Sequence, residues 1–421
     1  MNDSAANDAK LMTNPTLLLG VLFLIIAAVL TTAASPRPVW RRFYEVVPTT
    51  LLCYFLPSLL NTAGLAKAEA VESLYGVVSR VLLPCSLVLF TLGVDVRAFR
   101  RLGRKAVLMF AASAISIMLG GPLAVWLLAQ AAPQLVGGAG PDAVWRGLAT
   151  LAGTWIGGGA NQTALKEVFR PSDALFSAIV TVDVFVANIW LGTLLYGAAR
   201  SAKIDRWLRA DASAVDEVRQ RVQQQAEAGQ RLPTVTDLVQ ILAVGFGGVA
   251  LATALADPLA GYITTHSPLL TRFSLGTPFF WLVGLATALG VGASFTRLRT
   301  LEGAGASKLA TVLLYVMIAT IGLKMNVLAI ADQPGLILVG LVWMAFHVLL
   351  MIGFSRLIRA PYFFLAVGSQ ACIGGPATAP IVAAAFHPAL APVGVLMAIL
   401  GYAVGTYMGY VCGVLMQLAS P

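Results

Sequence analysis

The sequence predicts an all-α protein that crosses a membrane about 10 to 13 times. Of its 421 residues, 58% are hydrophobic and only 11% are charged. The mean hydropathy is +0.83, whereas a soluble domain has far more charge and less apolar content. Apolar runs of roughly 17 to 25 residues recur along the whole chain, and each can cross about 30 Å of hydrocarbon as a helix. The chain is therefore predicted to be a multi-pass integral membrane protein.

Hydropathy and the positions of proline and glycine divide the chain into candidate membrane spans. These lie near 16–33, 47–62, 73–94, 106–130, 145–169, 173–199, 236–256, 276–296, 307–325, 334–355, 361–386 and 389–418. Four units follow: an N-terminal helix and basic loop (1–46), a first repeat (47–199), a polar linker (200–235) and a second half (236–421).

The formal net charge of +9, from 28 Lys and Arg against 19 Asp and Glu, lies mainly between the apolar runs. The loop at 97–105 carries five basic residues: Arg97, Arg100, Arg101, Arg104 and Lys105. This distribution predicts cytoplasmic loops facing the anionic lipid bilayer, and it argues against nucleic-acid binding. The four cysteines lie apart in apolar runs, without metal-ligand spacing, and are predicted to be free thiols.

Two internal matches indicate a duplication. TLGVDVRAF at Thr91–Phe99 resembles TIGLKMNVL at Thr320–Leu328, and WIGGGANQ at 155–162 resembles CIGGPATA at 372–379, in the same order. The first loop is strongly basic and its counterpart is not, which predicts inverted repeats.

An inverted repeat requires an odd number of crossings between 97–105 and 326–333, yet six candidate spans lie between them. Either the 236–275 region, with Asp257, Pro258, His266 and Pro268, holds an extra half-crossing, or one candidate span does not cross.

Both copies of the second match contain residues that weaken a helix in mid-span. Gly157, Gly158 and Gly159 form the first break (157–161), and Gly374, Gly375 and Pro376 form the second (374–378). Irregular backbone persists in a bilayer only where protein buries it or water lines it. Two discontinuous helices at matching positions therefore predict a transport site, where helix ends can bind an anion or a cation.

Polar side chains cluster at both breaks and on the following helix. The predicted substrate-binding residues are Gly158, Gly159, Asn161, Gln162, Thr163, Gly374, Gly375 and Thr378, and the predicted ion-coupling residues are Asp183, Asn161, Asn188, Ser369 and Gln370. A carboxylate at membrane depth, as at Asp183, costs about 2.5 to 3.5 kcal/mol on insertion scales and is a functional candidate. The alternative for the amides is helix packing, and for Asp183 it is pairing with Thr181 or Asn188.

The motifs GGGAN at 157–161 and GGPATAP at 374–380 resemble the YjcL-like family of bacterial integral membrane proteins, and this resemblance covers nearly the whole chain. More distantly, the layout is similar to bile acid:sodium symporters, sodium/glutamate symporters and cation/proton antiporters. The resemblance implies a core domain with two crossed, partly unwound helices that moves like an elevator against a panel domain. It also implies site roles for five residues, Asn161, Gln162, Asp183, Gln370 and Thr378.

The chain departs from the bile acid symporters at the second break, where Ser369, Gln370 and Thr378 stand without an acidic residue. The choice between Na⁺ and H⁺ as the coupling ion therefore stays open, and no cofactor is expected other than Na⁺ in the first case. A homodimer is expected by analogy with relatives that have panel domains.

The predicted function is secondary transport of a small, anionic organic solute, such as a carboxylate, an amino acid or a short peptide, coupled to Na⁺ or H⁺. The alternative is a monovalent cation/proton antiporter. A passive channel or an intramembrane enzyme is a second alternative. No HExxH or GxSxG motif is present, and the three histidines lie far apart in sequence, so the chain is not expected to be an enzyme.

Overall fold

The fold is built from helices alone in the part of the chain that the structure describes. This computed structural model describes residues 12–44, 47, 49–95, 99–100, 102–210, 215, 218, 232–267, 270–271, 275–324, 334–387 and 390–421. Extended pairing within these ranges is limited to an isolated bridge between Met12 and Ala66. The all-α prediction is therefore confirmed.

The helices agree closely with the spans predicted from hydropathy. They are α1 Pro15–Ala33, α2 Pro38–Tyr44, α3 Thr49–Thr62, α4 Ala68–Leu92, α5 Arg104–Ala131, α6 Val144–Gly157, α7 Gly159–Phe169, α8 Asp173–Ala198, α9 Ser201–Leu208, α10 Val235–His266, α11 Pro278–Ser294, α12 Ala306–Gly322, α13 Gly335–Leu357, α14 Tyr362–Ile373, α15 Gly375–Phe386 and α16 Ala391–Ala419. Short 3₁₀ turns lie at Pro133–Leu135, Gly140–Asp142 and Arg297–Glu302.

Seven of these helices are long and apolar enough to span a bilayer: α1, α4, α5, α8, α10, α13 and α16. The chain is thus an integral membrane protein with several candidate spans. Three shorter apolar helices, α3, α11 and α12, pack beside them. Helix α10 continues unbroken through Asp257 and Pro258 to His266, so this helix does not supply the extra half-crossing that was one of the two open explanations. Pro268 lies outside the described residues.

The first interrupted segment, α6 and α7, folds back on itself. Its two outer ends meet: the Ser172 N–H donates to the Pro141 carbonyl at 2.8 Å, and the rings of Trp145 and Phe169 have centroids 5.7 Å apart. A helix that crossed the bilayer would separate these ends by its full length. We call this unit hairpin 1.

The second interrupted segment, α14 and α15, has the same form. The ring centroids of Phe363, at its beginning, and Phe386, at its end, are 5.3 Å apart. The chain turns at Gly374 and Gly375 between the two helices. We call this unit hairpin 2.

The two hairpins open towards opposite ends of the helical bundle. Hairpin 1 leads directly into the start of α8 at Asp173. At the other end of α8, Asp205 of the following helix α9 accepts a hydrogen bond of 2.7 Å from the Tyr362 N–H, where hairpin 2 begins. Since the 26 residues of α8 correspond to about 39 Å of helix, the hairpins enter from opposite faces.

The hairpins correct one detail of the expected architecture, because neither interrupted segment crosses. Only hairpin 1 lies between 97–105 and 326–333, and without it the segments there are α5, α8, α10, α11 and α12. This number is odd, as the charge pattern requires. Most of 326–333 and part of 97–105 lie outside the described residues.

The other helices pack in two groups. Helices α5, α8, α13 and α16 pack with the two hairpins, and we call this set the core group. Helices α1, α3, α4, α10, α11 and α12 pack mainly with one another, and we call this set the panel group. Basic residues follow the far end of α8, at Arg200, Lys203, Arg206 and Arg209, which predicts that this end of the bundle faces the cytoplasm.

Cysteine labelling from one side of the membrane tests the hairpin topology. We expect cysteines introduced at Asp142 and Ala174, which flank hairpin 1, to react with an impermeant maleimide from the same side, and a cysteine at Arg359 to react only from the opposite side. All three positions are exposed, and the four native cysteines are buried, so background labelling is low. Labelling of positions 142 and 174 from opposite sides would contradict the hairpin.

Candidate functional site

The tips of the two hairpins face a common cavity of about 170 Å³ between the core helices and α3 of the panel group. It is several times larger than the roughly 30 Å³ that one water molecule occupies in the liquid. Eight residues singled out from the sequence line it: Gly158, Gly159, Gln162, Asp183, Asn188, Gln370, Gly374 and Thr378. Residues distant in sequence thus meet at one place near the middle of the bundle.

Glycine permits both hairpin turns. Gly158 has φ +79° and ψ 179°, and Gly375 has φ +60°, conformations that a residue with a Cβ atom rarely adopts. Pro376 follows Gly375 in the first turn of α15. Backbone N–H groups in a first turn have no partner within the helix, so the missing N–H of proline removes no hydrogen bond there. The helix-breaking residues therefore form turns whose polar backbone borders the cavity.

Asp183 lies half-buried on α8 and faces the cavity. Its Oδ1 accepts a hydrogen bond of 2.8 Å from Trp155 Nε1, and its Oδ2 accepts one of 3.3 Å from Thr154 Oγ1. Both donors are neutral, and within the described ranges no basic side chain forms an ion pair with this carboxylate. The side chain is thus held in place by α6 without a countercharge among the described residues.

The alternative partners considered for Asp183 are engaged elsewhere. Thr181 Oγ1 donates to the Ser177 carbonyl at 3.1 Å, and Asn188 Nδ2 donates to the Val184 carbonyl at 2.7 Å. Asp183 is thus tied to the helix that precedes the first hairpin turn, rather than to its own helix.

Two buried amide groups at the cavity have an unpaired atom. Gln162 on hairpin 1 is 3% exposed and Gln370 on hairpin 2 is 1% exposed. Among the described residues, neither Gln162 Nε2 nor Gln370 Oε1 has a hydrogen-bond partner, although Gln370 Nε2 donates to Thr378 Oγ1 at 2.6 Å. An unpaired buried polar group costs about 1 to 3 kcal/mol. A ligand with both a donor and an acceptor could pair with both atoms.

Asn161 and Thr163 do not line the cavity. Asn161 is fully buried, its Nδ2 donates to the Gly157 carbonyl at 2.6 Å, and its Oδ1 accepts a hydrogen bond from Thr406 on α16. Thr163 Oγ1 donates to the Gly159 carbonyl at 2.8 Å. Both side chains are satisfied within the protein, so the structure places them in the support of hairpin 1.

Ser369 and Gly375 also lie outside the cavity lining. Ser369 belongs to a buried hydrogen-bond chain: Trp190 Nε1 donates to Ser369 Oγ at 2.8 Å, His347 Nε2 lies 2.8 Å from the same oxygen, and His347 Nδ1 lies 2.7 Å from Ser116 Oγ. This chain ties hairpin 2 to α5, α8 and α13. His347 thus acts as a hydrogen-bonded packing residue in this structure.

Three residues at the site were not singled out from the sequence. Thr154 and Trp155 donate to Asp183, and Tyr54 of α3 lines the cavity. The available signal for the first two was their place in the last turn before the glycine break, where donors are close to any bound group. No local pattern marks Tyr54, because only the packing of the panel group brings it there.

The arrangement combines one carboxylate, three side-chain amides and three hydroxyls with the ends of four short helices. Carboxylate and amide oxygens suit a hard cation such as Na⁺, and amide N–H groups and helix N-termini suit an anion. The cavity therefore has the groups to bind a cation and a small anionic solute together.

Residues 20–419 match a protein-family profile described as "Protein of unknown function (DUF819)". The chain is also similar to a protein of Bacillus subtilis (strain 168) named "Uncharacterized membrane protein YjcL". The two are 27% identical over 357 residues, which cover 82% of this chain and 84% of that protein. The resemblance inferred from the glycine motifs is thereby confirmed.

Replacing Gln162 and Asn161 separately should distinguish a ligand-facing amide from a structural one. We expect Gln162→Leu to leave the midpoint of thermal unfolding in detergent unchanged or raised, because it removes an unpaired donor. Asn161→Leu should lower the midpoint, since it breaks two buried hydrogen bonds worth about 1 kcal/mol each and leaves Gly157 and Thr406 without these partners. A larger loss for Gln162→Leu than for Asn161→Leu would contradict this assignment.

Proposed function

The chain belongs to the DUF819 family, and we propose that it is a secondary active transporter of a small, anionic organic solute. A carboxylate, an amino acid or a short peptide fits this class, and Na⁺ or H⁺ is the coupling ion. The solute and the ion bind in the cavity between the hairpin tips. The proposed location is the inner (plasma) membrane of a bacterium.

The observation that carries this proposal is the pair of unpaired amide atoms on opposite hairpins beside an uncompensated carboxylate. Gln162 and Gln370 line the same cavity as Asp183, and each has one buried amide atom without a hydrogen-bond partner among the described residues. Buried polar groups are paired in the great majority of cases. Two such amides beside the Asp183 carboxylate support a polar ligand that completes the site.

Access to the cavity fits an alternating mechanism. The hairpins enter from opposite ends of the bundle and meet near its middle, so a ligand between their tips is separated from each aqueous phase by one hairpin. We infer that the two halves are inverted copies and that the core group moves against the panel group, as in an elevator. A continuous pore, as in a passive channel, would not need two opposed hairpins.

Several polar contacts link the two groups at the end where hairpin 1 opens. Lys166 of hairpin 1 donates to the Tyr75 hydroxyl of α4 at 3.2 Å and forms an ion pair of 2.9 Å with Asp173. Lys324, after α12, pairs with Glu72 of α4 at 2.8 Å and with Asp173 at 3.7 Å. An elevator movement would have to break these contacts between the core group and the panel group. We therefore propose that they hold the protein in the state described here.

Asp183 also supports a second candidate, monovalent cation/proton antiport. A carboxylate held by neutral donors can exchange Na⁺ for H⁺ without an organic solute. The two candidates differ in whether Gln162 and Gln370 are needed. Antiport requires the carboxylate alone, whereas solute transport requires both amides.

Uphill transport in proteoliposomes tests the proposal. We expect labelled carboxylates, amino acids or short peptides to accumulate above their external concentration when a Na⁺ or pH gradient is applied, and only then. Equilibration without accumulation would indicate a channel, and cation exchange without solute uptake would indicate an antiporter. The solute is identified first by its effect on the unfolding temperature of the purified protein.

Asp183→Asn should abolish gradient-driven accumulation while preserving the fold. The amide keeps the shape of the side chain and an acceptor for Trp155, but it cannot carry the charge that binds the coupling ion. Asp142→Asn, at an exposed loop carboxylate outside the cavity, is the matched control and should retain uptake. Undiminished accumulation by Asp183→Asn would remove this residue from the coupling mechanism under either candidate.

A further inference from the structure

A second cavity of about 270 Å³ lies away from the hairpin tips, between the end of hairpin 1 and the panel helices α4, α10 and α11. Four charged side chains from three segments line it: Arg80, Glu167, Arg170 and Asp257. Ala256, Phe279 and Leu282 provide an apolar wall. The cavity is larger than the central one and shares no lining residue with it.

Arg80 stands where α4 changes its winding. Residues Val78–Leu82 form a π-helical turn, and Pro84 follows it in the first turn of the next α-helical stretch. A proline removes the hydrogen bond to the carbonyl four residues earlier and clashes with it, and for Pro84 this carbonyl belongs to Arg80. Single π turns inside α-helices are frequent at functional sites. The sequence thus places an arginine at a distorted turn in mid-span.

Asp257 lies opposite, on the continuous helix α10, and is exposed to the cavity. Neither Arg80 nor Asp257 forms an ion pair in the described part of the chain. An ionisable residue at membrane depth costs about 2.5 to 3.5 kcal/mol on insertion scales. Two unpaired charges of opposite sign that line one cavity are therefore expensive unless a ligand or water pairs with them.

Arg170 closes the cavity at the end of hairpin 1. It follows α7 in the left-handed conformation, with φ 49° and ψ 55°, a position that usually holds glycine. A non-glycine residue in this conformation costs about 1 kcal/mol. The residue at this position is nevertheless an arginine, and its guanidinium lines the cavity. Its neighbour Glu167 is already engaged, since it accepts a hydrogen bond from the Tyr75 hydroxyl.

We propose that this cavity binds a zwitterionic group of the phosphoethanolamine type. The phosphate lies between Arg80 and Arg170, because guanidinium groups form paired hydrogen bonds with phosphate oxygens. The primary ammonium binds Asp257, the free carboxylate. The apolar wall of Phe279 and Leu282 accommodates a chain attached to the phosphate, which fits the headgroup of phosphatidylethanolamine as well as free phosphoethanolamine.

Binding measurements on the full-length protein in detergent test this site. Native mass spectrometry would count bound phosphatidylethanolamine and phosphatidylglycerol, which share the phosphate but differ in the ammonium group. Calorimetry would compare phosphoethanolamine with ethyl phosphate. In at least one of the two pairs, we expect the compound with the ammonium group to bind about tenfold more tightly than the compound without it. A hydrogen-bonded ion pair with Asp257 contributes about this much to affinity.

Variants of the cavity separate the two charged ends of the ligand. Asp257→Asn should remove the preference for the ammonium group, and Arg80→Gln should weaken binding of both members of the pair about tenfold. Glu69→Gln and Arg104→Gln, exposed residues outside the cavity, are the matched controls and should bind as the unmodified protein does.

The outcomes are distinct. A preference for phosphatidylethanolamine alone identifies the ligand as a membrane lipid, and a preference for phosphoethanolamine alone identifies it as a soluble compound. Equal binding of both members in both pairs, or no binding of any, would overturn the proposal. These comparisons use the unmodified protein, so they hold even if a variant fails to fold. They are also independent of whether the central cavity transports a solute.

Discussion

The structure depends on one constraint: a backbone N–H or C=O in the hydrocarbon must have a partner. Both glycine turns would leave unpaired groups in a lipid-facing helix. They are tolerated because each turn lies at the tip of a hairpin that is enclosed by core helices. Asn161 shows how this enclosure is achieved, since it joins the Gly157 carbonyl of the turn to Thr406 of α16. The protein covers the broken backbone on one side and leaves the cavity on the other.

The two hairpins are fixed by different physical interactions. Besides the ring contact of Trp145 with Phe169, hairpin 1 is held at its open end by charges, with Lys166 buried at 5% exposure between Asp173 and the ring of Tyr75. Hairpin 2 is held by aromatic packing at its open end and by the buried chain through Ser369 and His347. The charged contacts of hairpin 1 reach the panel group, whereas the contacts of hairpin 2 stay within the core group. A movement of one group against the other would therefore have to change largely electrostatic contacts at the end where hairpin 1 opens.

The sequence predicts the helices well because a span of about 20 apolar residues is a local property. The two breaks were also predictable, since glycine and proline act on their own backbone. The direction of the chain after each break was not, because a crossing helix and a hairpin contain the same residues and differ only in long-range contacts such as Trp145 with Phe169. The distribution of charge requires an odd number of crossings between the two loops, and only this argument indicated that one segment does not cross.

Prediction was less complete for the site. Eight of the residues expected there line the cavity, since polar side chains beside a break have few other reasons to occur in mid-span. Asn161 and Ser369 were indistinguishable from them by type, and only their partners, Thr406 and His347, reveal a structural role. Helix periodicity does not separate the two cases, because both faces of a buried hairpin are enclosed by protein.

The position of Asp183 gives the proposed coupling a physical basis. Its partners Thr154 and Trp155 lie in the last turns of α6 before the hairpin turn, so the charge of the carboxylate acts directly at the site where an anionic solute would bind. An empty, ionised Asp183 repels a second carboxylate, whereas a bound Na⁺ or H⁺ removes that repulsion. By thermodynamic linkage, the solute must then increase the affinity for the ion by the same factor. A single carboxylate between two hairpins is therefore enough to make the binding of ion and solute interdependent, without the acidic residue that the second break lacks.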